Sequence, residues 1–384
     1  MRVSQIYELV NSATSEILGE SAVLAEDLSN VVDIGEEIFN AGAVDNYVKS
    51  LVNHIGRVIF VNRPYSGAVP SVLMDAWEFG SVLEKVTTEL PEATENESWE
   101  LTDGASYDPN IFYQPKVSAK FFNKRVTFEV PRSFTEKQVK ESFSNREQLN
   151  GFLSMLYNAV DKAMTIKIDA LIMRTINNMI GETVYDDYGS DALSSKSGVK
   201  AINLLYLYNT KFNESLAAED ALTDPAFIRF ASFEMGVISS RLSRISTLYN
   251  VGGKDRFTPS DMLHVVMLTD FRKSANVYLQ SDVFHDEFTT LPNAEEVPYW
   301  QGSGTGYAFE DVSAINIKTA SEHDVNVTGI LAVMFDRDAL GVSNLDRRVT
   351  SHFNPKAEFY SNWYKFEAGY YNDTNENFVV FFVA

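Results

Sequence analysis

The sequence predicts an α+β protein in which one unusually long helix stands among strands and shorter helices. Three observations support this fold class. Apolar and polar residues alternate at 126–130 and again at 364–370, which is the two-residue period of a strand. Apolar residues follow helical spacing over 146–180, and the chain closes on the apolar run FVVFFVA. With 384 residues the chain is long enough for two domains or one large, extended domain.

The first 56 residues are predicted to form a helical, acidic arm. Apolar residues from Ile6 to Leu18 follow helical spacing, and acidic residues outnumber basic ones. The segment is short and interrupted by glycines, so it cannot bury a core by itself and is expected to lie on another surface. From Arg57 the pattern changes, and RVIFV predicts a short strand over 57–61.

Two neighbouring segments carry opposite charge. Nearly all charged residues of 84–108 are acidic, whereas basic residues predominate over 114–146. Because the second segment also contains the alternating strand of 126–130, the pair predicts a long two-limbed loop, with an acidic limb followed by a basic, β-rich limb.

The long helix is predicted over 146–180. Ser144 and Asn145 are suitable capping residues, Glu147 lies in the first turn, and Gly181 is the predicted end. About 35 residues correspond to about 50 Å, roughly three times the usual length, so the helix needs a structural reason. Shorter helices are predicted around 199–208, 214–221 and 225–249, and strands connected by the turn NDTNEN close the chain.

Composition excludes several classes of protein. The formal net charge of −21 is the opposite of the basic footprint that a nucleic-acid reader needs. Without cysteine the chain cannot form disulfides, thiolate nucleophiles or cysteine zinc sites. The N-terminus lacks the pattern of a secretory signal, and no apolar run approaches the length of a membrane span. We therefore expect a soluble intracellular product with no membrane partner.

No catalytic, cofactor-binding or metal-binding residues are predicted. Asp336 and Asp338 could hold Mg²⁺ or Mn²⁺ against a diphosphate, but they are better explained as residues of a turn after the strand GILAVMF. GSGTG, at 302–306, lacks a following lysine and does not open a helix, which favours a flexible loop. The adjacent residues His285, Asp286 and Glu287 would point to opposite faces of an extended chain.

The order of these segments, together with several stretches of sequence, resembles a known family. The stretches are VTFEVPRSFTEKQVKESFSNREQLNGFLSMLYNAVDKAM, LPNAEEVPYWQGSGTGYAFEDVSAI, GILAVMFDRDALGV and WYKFEAGYYNDTNENFVVFFVA. They are similar to the major capsid proteins of tailed bacteriophages with the Hong Kong 97 type of shell fold, especially those of phages of Gram-positive bacteria. The likeness covers nearly the whole chain and rests on layout rather than on a short motif.

The resemblance implies a division of the chain. It comprises an N-terminal arm (1–56), a peripheral domain (57–181) with an extended loop (about 82–130) and a spine helix (146–180), an axial domain (182–345), and C-terminal strands that complete the peripheral domain (346–384). It also implies a structural, non-enzymatic protein of the virion, assembled in the host cytoplasm. Hexamers and pentamers would close into an icosahedral shell that encloses double-stranded DNA without sequence-specific binding. A separate scaffolding protein and a portal protein are the expected partners, and no cofactor is expected.

Two alternatives remain at this point. One is an encapsulin-like cellular compartment with the same shell fold. The other is a metal-dependent glycosyltransferase that uses Asp336 and Asp338. The opposite charges of the two limbs add a hypothesis: besides its own basic partner, the acidic limb contacts the basic limb of the next subunit or the start of its spine helix. Reversing Lys120, Lys124 and Arg125 would then block assembly, and high salt would weaken it.

Overall fold

The chain folds into two compact units, each built from segments that are distant in sequence. Unit 1 comprises Met1–Gly80, Arg125–Ile176 and Gly341–Tyr370, and unit 2 comprises Ser81–Lys124, Asn177–Leu340 and Tyr371–Ala384. The computed structural model describes residues 10–16, 33, 46, 50, 72–74, 83–91, 93, 95, 102–105, 108, 110–138, 146–280, 294–301 and 308–384.

Strands and helices both contribute to the described part of the chain, which confirms the α+β class. The strands are β1 (Leu73–Met74), β2 (Leu83–Thr88), β3 (Val117–Phe122), β4 (Arg125–Thr135), β5 (Ala201–Asn203), β6 (Leu263–Leu268), β7 (Glu295–Val297), β8 (Ile315–Lys318), β9 (Asp324–Val327), β10 (Ile330–Asp336), β11 (Leu340–Asn354), β12 (Phe359–Asn372) and β13 (Phe378–Phe382). The helices are α1 (Arg146–Tyr188), α2 (Leu204–Phe212), α3 (Pro225–Leu242), α4 (Thr269–Gln280) and α5 (Phe309–Val312).

Unit 1 contains a four-stranded sheet in the order β1–β11–β12–β4. The strands predicted from alternation at 126–130 and 364–370 are confirmed as β4 and β12, which pair antiparallel. Val130 lies opposite Tyr364, and Phe128 lies opposite Phe366 with ring centroids 5.7 Å apart. Every second residue of β12 is buried from Tyr360 to Ala368, as expected for a strand that covers a core with one face.

Unit 2 is organised around a five-stranded sheet in the order β5–β13–β10–β6–β7. Every residue of β10 and β13 is buried. The predicted strand at the C-terminal apolar run is therefore confirmed. The two closing strands belong to different sheets, because β12 joins the sheet of unit 1 and β13 joins that of unit 2. This arrangement differs from the expected one, in which residues 346–384 together complete the peripheral domain. The physical reason is that β13 is apolar on both faces, so it needs a central position in a covered sheet.

Helix α1 confirms the predicted long helix and exceeds it. Its 43 residues correspond to about 65 Å. In unit 1, buried residues recur at Val160, Met164, Ile168 and Ile172, which is the apolar stripe expected of a helix on a core.

The predicted end of this helix at Gly181 is wrong. The helix continues to Tyr188, and Gly181 lies inside it, where the helix passes the β8–β9 hairpin of unit 2. A Cβ at this position would lie 2.9 Å from Thr319 Cγ2 and 3.0 Å from Ile317 Cδ1. The glycine therefore serves close packing rather than termination, a distinction that depends on a contact more than 130 residues away in sequence.

The shorter helices are partly as predicted. The 225–249 pattern corresponds to α3, which is capped by the Asp224 side chain and begins at Pro225 but ends at Leu242. The 199–208 pattern divides into β5 and α2. The helix predicted over 214–221 is wrong, because Asn213 ends α2 with φ of 55° and Asn209 hydrogen-bonds both backbone groups of Leu216, which fixes a turn.

Several predictions fall outside the described residues. They are the strand at 57–61, the loop at 302–306, the caps at 144–145, the triplet at 285–287 and most of the arm over 1–56, of which residues 10–16 are helical. Among the described residues, no helix is long and apolar enough to cross a membrane.

Candidate functional site

The β2–β3 hairpin of unit 2 has two unlike faces. Lys85 lies directly opposite Lys120, and side chains alternate between faces along each strand. On the face opposite the lysines, Val86, Val117 and Phe121 are each more than half exposed. One face of the hairpin therefore carries the two lysines, and the other is exposed and mainly apolar, with Glu84 as its one charged residue.

The two lysines bind carboxylates in the turn between β12 and β13. Lys85 Nζ lies 3.0 Å from Asp373 Oδ2 and 2.6 Å from Glu376 Oε1. Lys120 Nζ lies 2.9 Å from Asp373 Oδ1, and Arg256 Nε lies 3.1 Å from Glu376 Oε1. The side chains of Asp373 and Glu376 are only 2% and 9% exposed. Solvent therefore screens these pairs much less than it screens an ordinary surface pair.

Burial and ion pairing have opposing effects on the pKa values in this group. Burial alone would raise the pKa of Asp373, but hydrogen bonding to Lys120 and the charge of Lys85 outweigh it and lower that pKa. Burial alone would lower the pKa of Lys85, but its hydrogen bond to Glu376 and the nearby carboxylate charges raise it. Both directions favour the charged forms, so the contact is an ion-pair network.

Asp336, the first residue of the acidic pair considered as a metal site, lies at the end of β10. Its side chain is buried, and its Oδ1 accepts a hydrogen bond of 2.9 Å from the backbone N–H of Asp338, capping the 3₁₀ turn Arg337–Ala339. Desolvation by burial raises the pKa of Asp336. The prediction that Asp336 is a turn residue is confirmed. Within the described part of the chain, no group of three or more histidine or acidic side chains is arranged to hold a metal ion.

Sequence reasoning identified NDTNEN as a turn but not as the acidic partner of the hairpin. The signal was present in the two acids of that turn and in Lys85, the one basic residue of an acidic limb. Pairing them requires knowing that the hairpin and the C-terminal turn come together across more than 250 residues.

The basic residues proposed for reversal are not equivalent. Lys120 is paired with Asp373, and Arg125 NH1 lies 3.6 Å from Glu367 within unit 1. Reversing Lys120 and Arg125 would break contacts inside one subunit, so that experiment cannot isolate contacts between subunits.

Exposed apolar side chains extend beyond the two strands of the hairpin. Phe112 and Tyr113, in the segment between β2 and β3, are each 83% exposed, in addition to the apolar face of the hairpin itself. Exposed apolar surface of this kind marks an interaction site with another protein surface. The class indicated is a protein that contacts another surface through this hairpin and the segment between its strands.

Comparison with known families gives the particular assignment. The family model for Phi29-like phage major capsid proteins matches residues 10–382, and the chain belongs to that family. The prediction of a phage major capsid protein is confirmed. The protein is a structural, non-enzymatic component of the virion shell and assembles with itself. The compartment and glycosyltransferase alternatives are not favoured.

Similar solved structures come from phage capsids. The capsid chain of Staphylococcus phage Andhra is 10% identical over 84% of this chain and 87% of that chain, with a TM-score of 0.46. That of cyanophage P-SCSP1u is 11% identical over 85% and 92%, with a TM-score of 0.44. That of bacteriophage PhiM1 is 8% identical over 84% and 91%, with a TM-score of 0.45. No curated protein matches the sequence.

Proposed function

We propose that the chain forms hexamers and pentamers that close into an icosahedral shell around double-stranded DNA. The observation that carries this proposal is the family match over residues 10–382, which includes the hairpin, the long helix and both closing strands. In this assignment residues 1–56 form the arm and α1 forms the spine of the peripheral domain. The axial domain contains the five-stranded sheet, to which we now also assign β13.

The apolar face of the β2–β3 hairpin is proposed to contact the adjacent subunit. Its side chains are exposed in the single chain, whereas the lysines of the opposite face are paired within unit 2. Burying this face would remove apolar area from water at about 25 cal/mol per Å², repeated at every subunit contact.

The acidic net charge supports a shell that binds its packaged DNA only weakly. With a net charge of −21, the subunit repels the phosphate backbone, so packaged DNA is held without sequence-specific binding. A gel-shift titration with duplex DNA at low salt tests this point, and the expected result is no retarded band. Tight binding at low salt that weakens steeply with added salt would contradict it.

A separate scaffolding protein and a portal protein complete the proposal, with assembly in the host cytoplasm. Support comes from membership of the capsid protein family. Co-purification of these partners with shell precursors from infected cells is the corresponding measurement. Precursor shells that contain only this chain would contradict the scaffolding proposal.

The central experiment is negative-stain electron microscopy of the purified protein, with light scattering on the same sample. Closed shells, tubes or capsomer-sized rings are expected. F121S, on the exposed hairpin face, should lower the yield of assemblies while leaving thermal unfolding of the free subunit unchanged. The matched control is T88S on the same face, which should assemble normally. A stable small oligomer that binds a nucleotide sugar would overturn the proposal and restore the glycosyltransferase alternative.

A further inference from the structure

The cross-strand pair of Lys85 and Lys120 is an unfavourable arrangement for a hairpin by itself. Two like charges directly opposite each other on one face repel, which destabilises the pairing of the two strands. In this structure the repulsion is offset because both ammonium groups bind Asp373, one at each carboxylate oxygen. The charged face is therefore suited to a hairpin that is docked on an acidic surface.

The acidic surface is formed by several elements of unit 2. The β12–β13 turn contributes Asp373 and Glu376, and Thr374 Oγ1 lies 3.2 Å from Lys120 Nζ. The 3₁₀ turn after β10 contributes the backbone oxygen of Asp338, 3.4 Å from Lys85 Nζ. The loop after α3 places Arg256 on Glu376, and Lys254 Nζ lies 3.3 Å from Glu89 beyond the end of β2.

Apolar packing contributes little to this docking. Phe122 is the only large apolar side chain that is buried among the described hairpin residues, and its ring centroid lies 5.0 Å from that of Tyr371. Leu83, directly opposite Phe122, is only half-buried. Val86, Val117 and Phe121 face away from the contact and are exposed. The ion pairs are therefore the main attachment of the two strands to the rest of unit 2.

We propose that Lys85, Lys120, Asp373 and Glu376 form an electrostatic latch that holds the β2–β3 hairpin on its own subunit and can release it as a unit. The latch is a property of the single subunit. Its role, which is to set when the hairpin becomes free to take a position against a neighbour, rests on the proposed shell function. Because the latch consists of charge pairs, its strength falls when a charge is removed and, to a smaller extent, when salt is added.

Hydrogen exchange of unassembled subunits, at neutral pH and low salt, tests the latch. D373N removes the shared carboxylate charge and keeps the shape of the side chain. We expect exchange in β2 and β3 to become about tenfold faster or more, while β10 and β13 keep the wild-type rate. K116Q is the matched control, because it removes a lysine charge from the same hairpin at a site 82% exposed, and it should have no effect. K120R keeps the charge and should retain slow exchange.

Two outcomes would overturn the latch. One is unchanged exchange of β2 and β3 in D373N, and the other is equal acceleration by K116Q. If D373N also loosens β10 and β13, the double variant K85Q/K120Q decides, because its changes lie on the hairpin and leave the buried turn intact. Light scattering of the same variants separates the two proposals. If shells form normally but D373N does not change the exchange of β2 and β3, only the latch is refuted. If D373N accelerates that exchange but the subunits never assemble, only the shell function is refuted.

Discussion

Gly181 provides a sharp test of the packing between α1 and the β8–β9 hairpin. Alanine has a helix propensity about 1 kcal/mol more favourable than glycine, so G181A would stabilise an exposed helix by that amount. At this position the new Cβ would lie 2.9 Å from Thr319 Cγ2 and 3.0 Å from Ile317 Cδ1. Overpacking of this kind typically costs about 1–3 kcal/mol. The net expectation is a loss of about 0–2 kcal/mol in the free energy of unfolding.

The sign should reverse when the closest obstacle is removed. T319S deletes Cγ2 but keeps the hydroxyl that accepts the backbone N–H of His323. In that background the nearest remaining atom is the flexible end of Ile317, which can move. G181A should then be neutral or stabilising by up to about 1 kcal/mol. Scanning calorimetry of unassembled subunits is the assay, since 1 kcal/mol shifts Tm by about 2–4 °C in domains of this size.

The same effect of G181A on Tm in both backgrounds would contradict the proposed clash with Thr319. Equal destabilisation would mean that Thr319 does not limit the approach of the helix. Stabilisation in the wild-type background would mean that Gly181 has no packing role, and the structural account of why the helix runs through this glycine would be wrong.

Four further substitutions test other positions by thermal unfolding. G329A should lower stability by about 3 kcal/mol or more, because Gly329 has φ of 77° and a Cβ would lie 2.0 Å from the backbone oxygen of Val383. G236A, in α3, should instead raise stability by about 0.5–1 kcal/mol, because a Cβ added there would meet no neighbouring atom within 4 Å. D336N should stabilise the subunit at neutral pH, because a raised pKa means that folding disfavours the charged carboxylate of Asp336, and the gain should vanish as pH falls below the ordinary value of 3.8; a loss at neutral pH would contradict this. W300F should cost about 2–4 kcal/mol, because fully buried Trp300 donates through Nε1 to a backbone oxygen of β10 at 2.9 Å; a cost below about 1 kcal/mol would contradict it.

Local patterns in the sequence predicted much of the fold. Alternation identified β4 and β12, the apolar runs identified β10 and β13, and helical spacing identified α1. The errors arose where a distant contact decides the local structure. Gly181 resembles a helix terminator until the side chains of 317–319 are placed beside it.

The candidate site was predictable only in part. Asp336 could be assigned to a turn because a cap acts over two residues, and that range is visible in the sequence. The partners of Lys85 and Lys120 could not be assigned, because neither composition nor periodicity reports which acidic turn a hairpin meets. The alternation within β2 and β3 is consistent with two different faces of the hairpin. It does not report which face packs against the rest of the subunit and which stays exposed.

The charge distribution now changes the expected response of assembly to salt. If oppositely charged limbs joined neighbouring subunits, salt would weaken assembly. In this structure Lys85 and Lys120 are paired inside one subunit, and the hairpin face left exposed is apolar. Subunits with a net charge of −21 also repel one another, and raising salt from 0.05 to about 0.5 M screens that repulsion without weakening apolar contacts. Light scattering should therefore show faster assembly over this range. Slower assembly would instead support contacts between the oppositely charged limbs of neighbouring subunits.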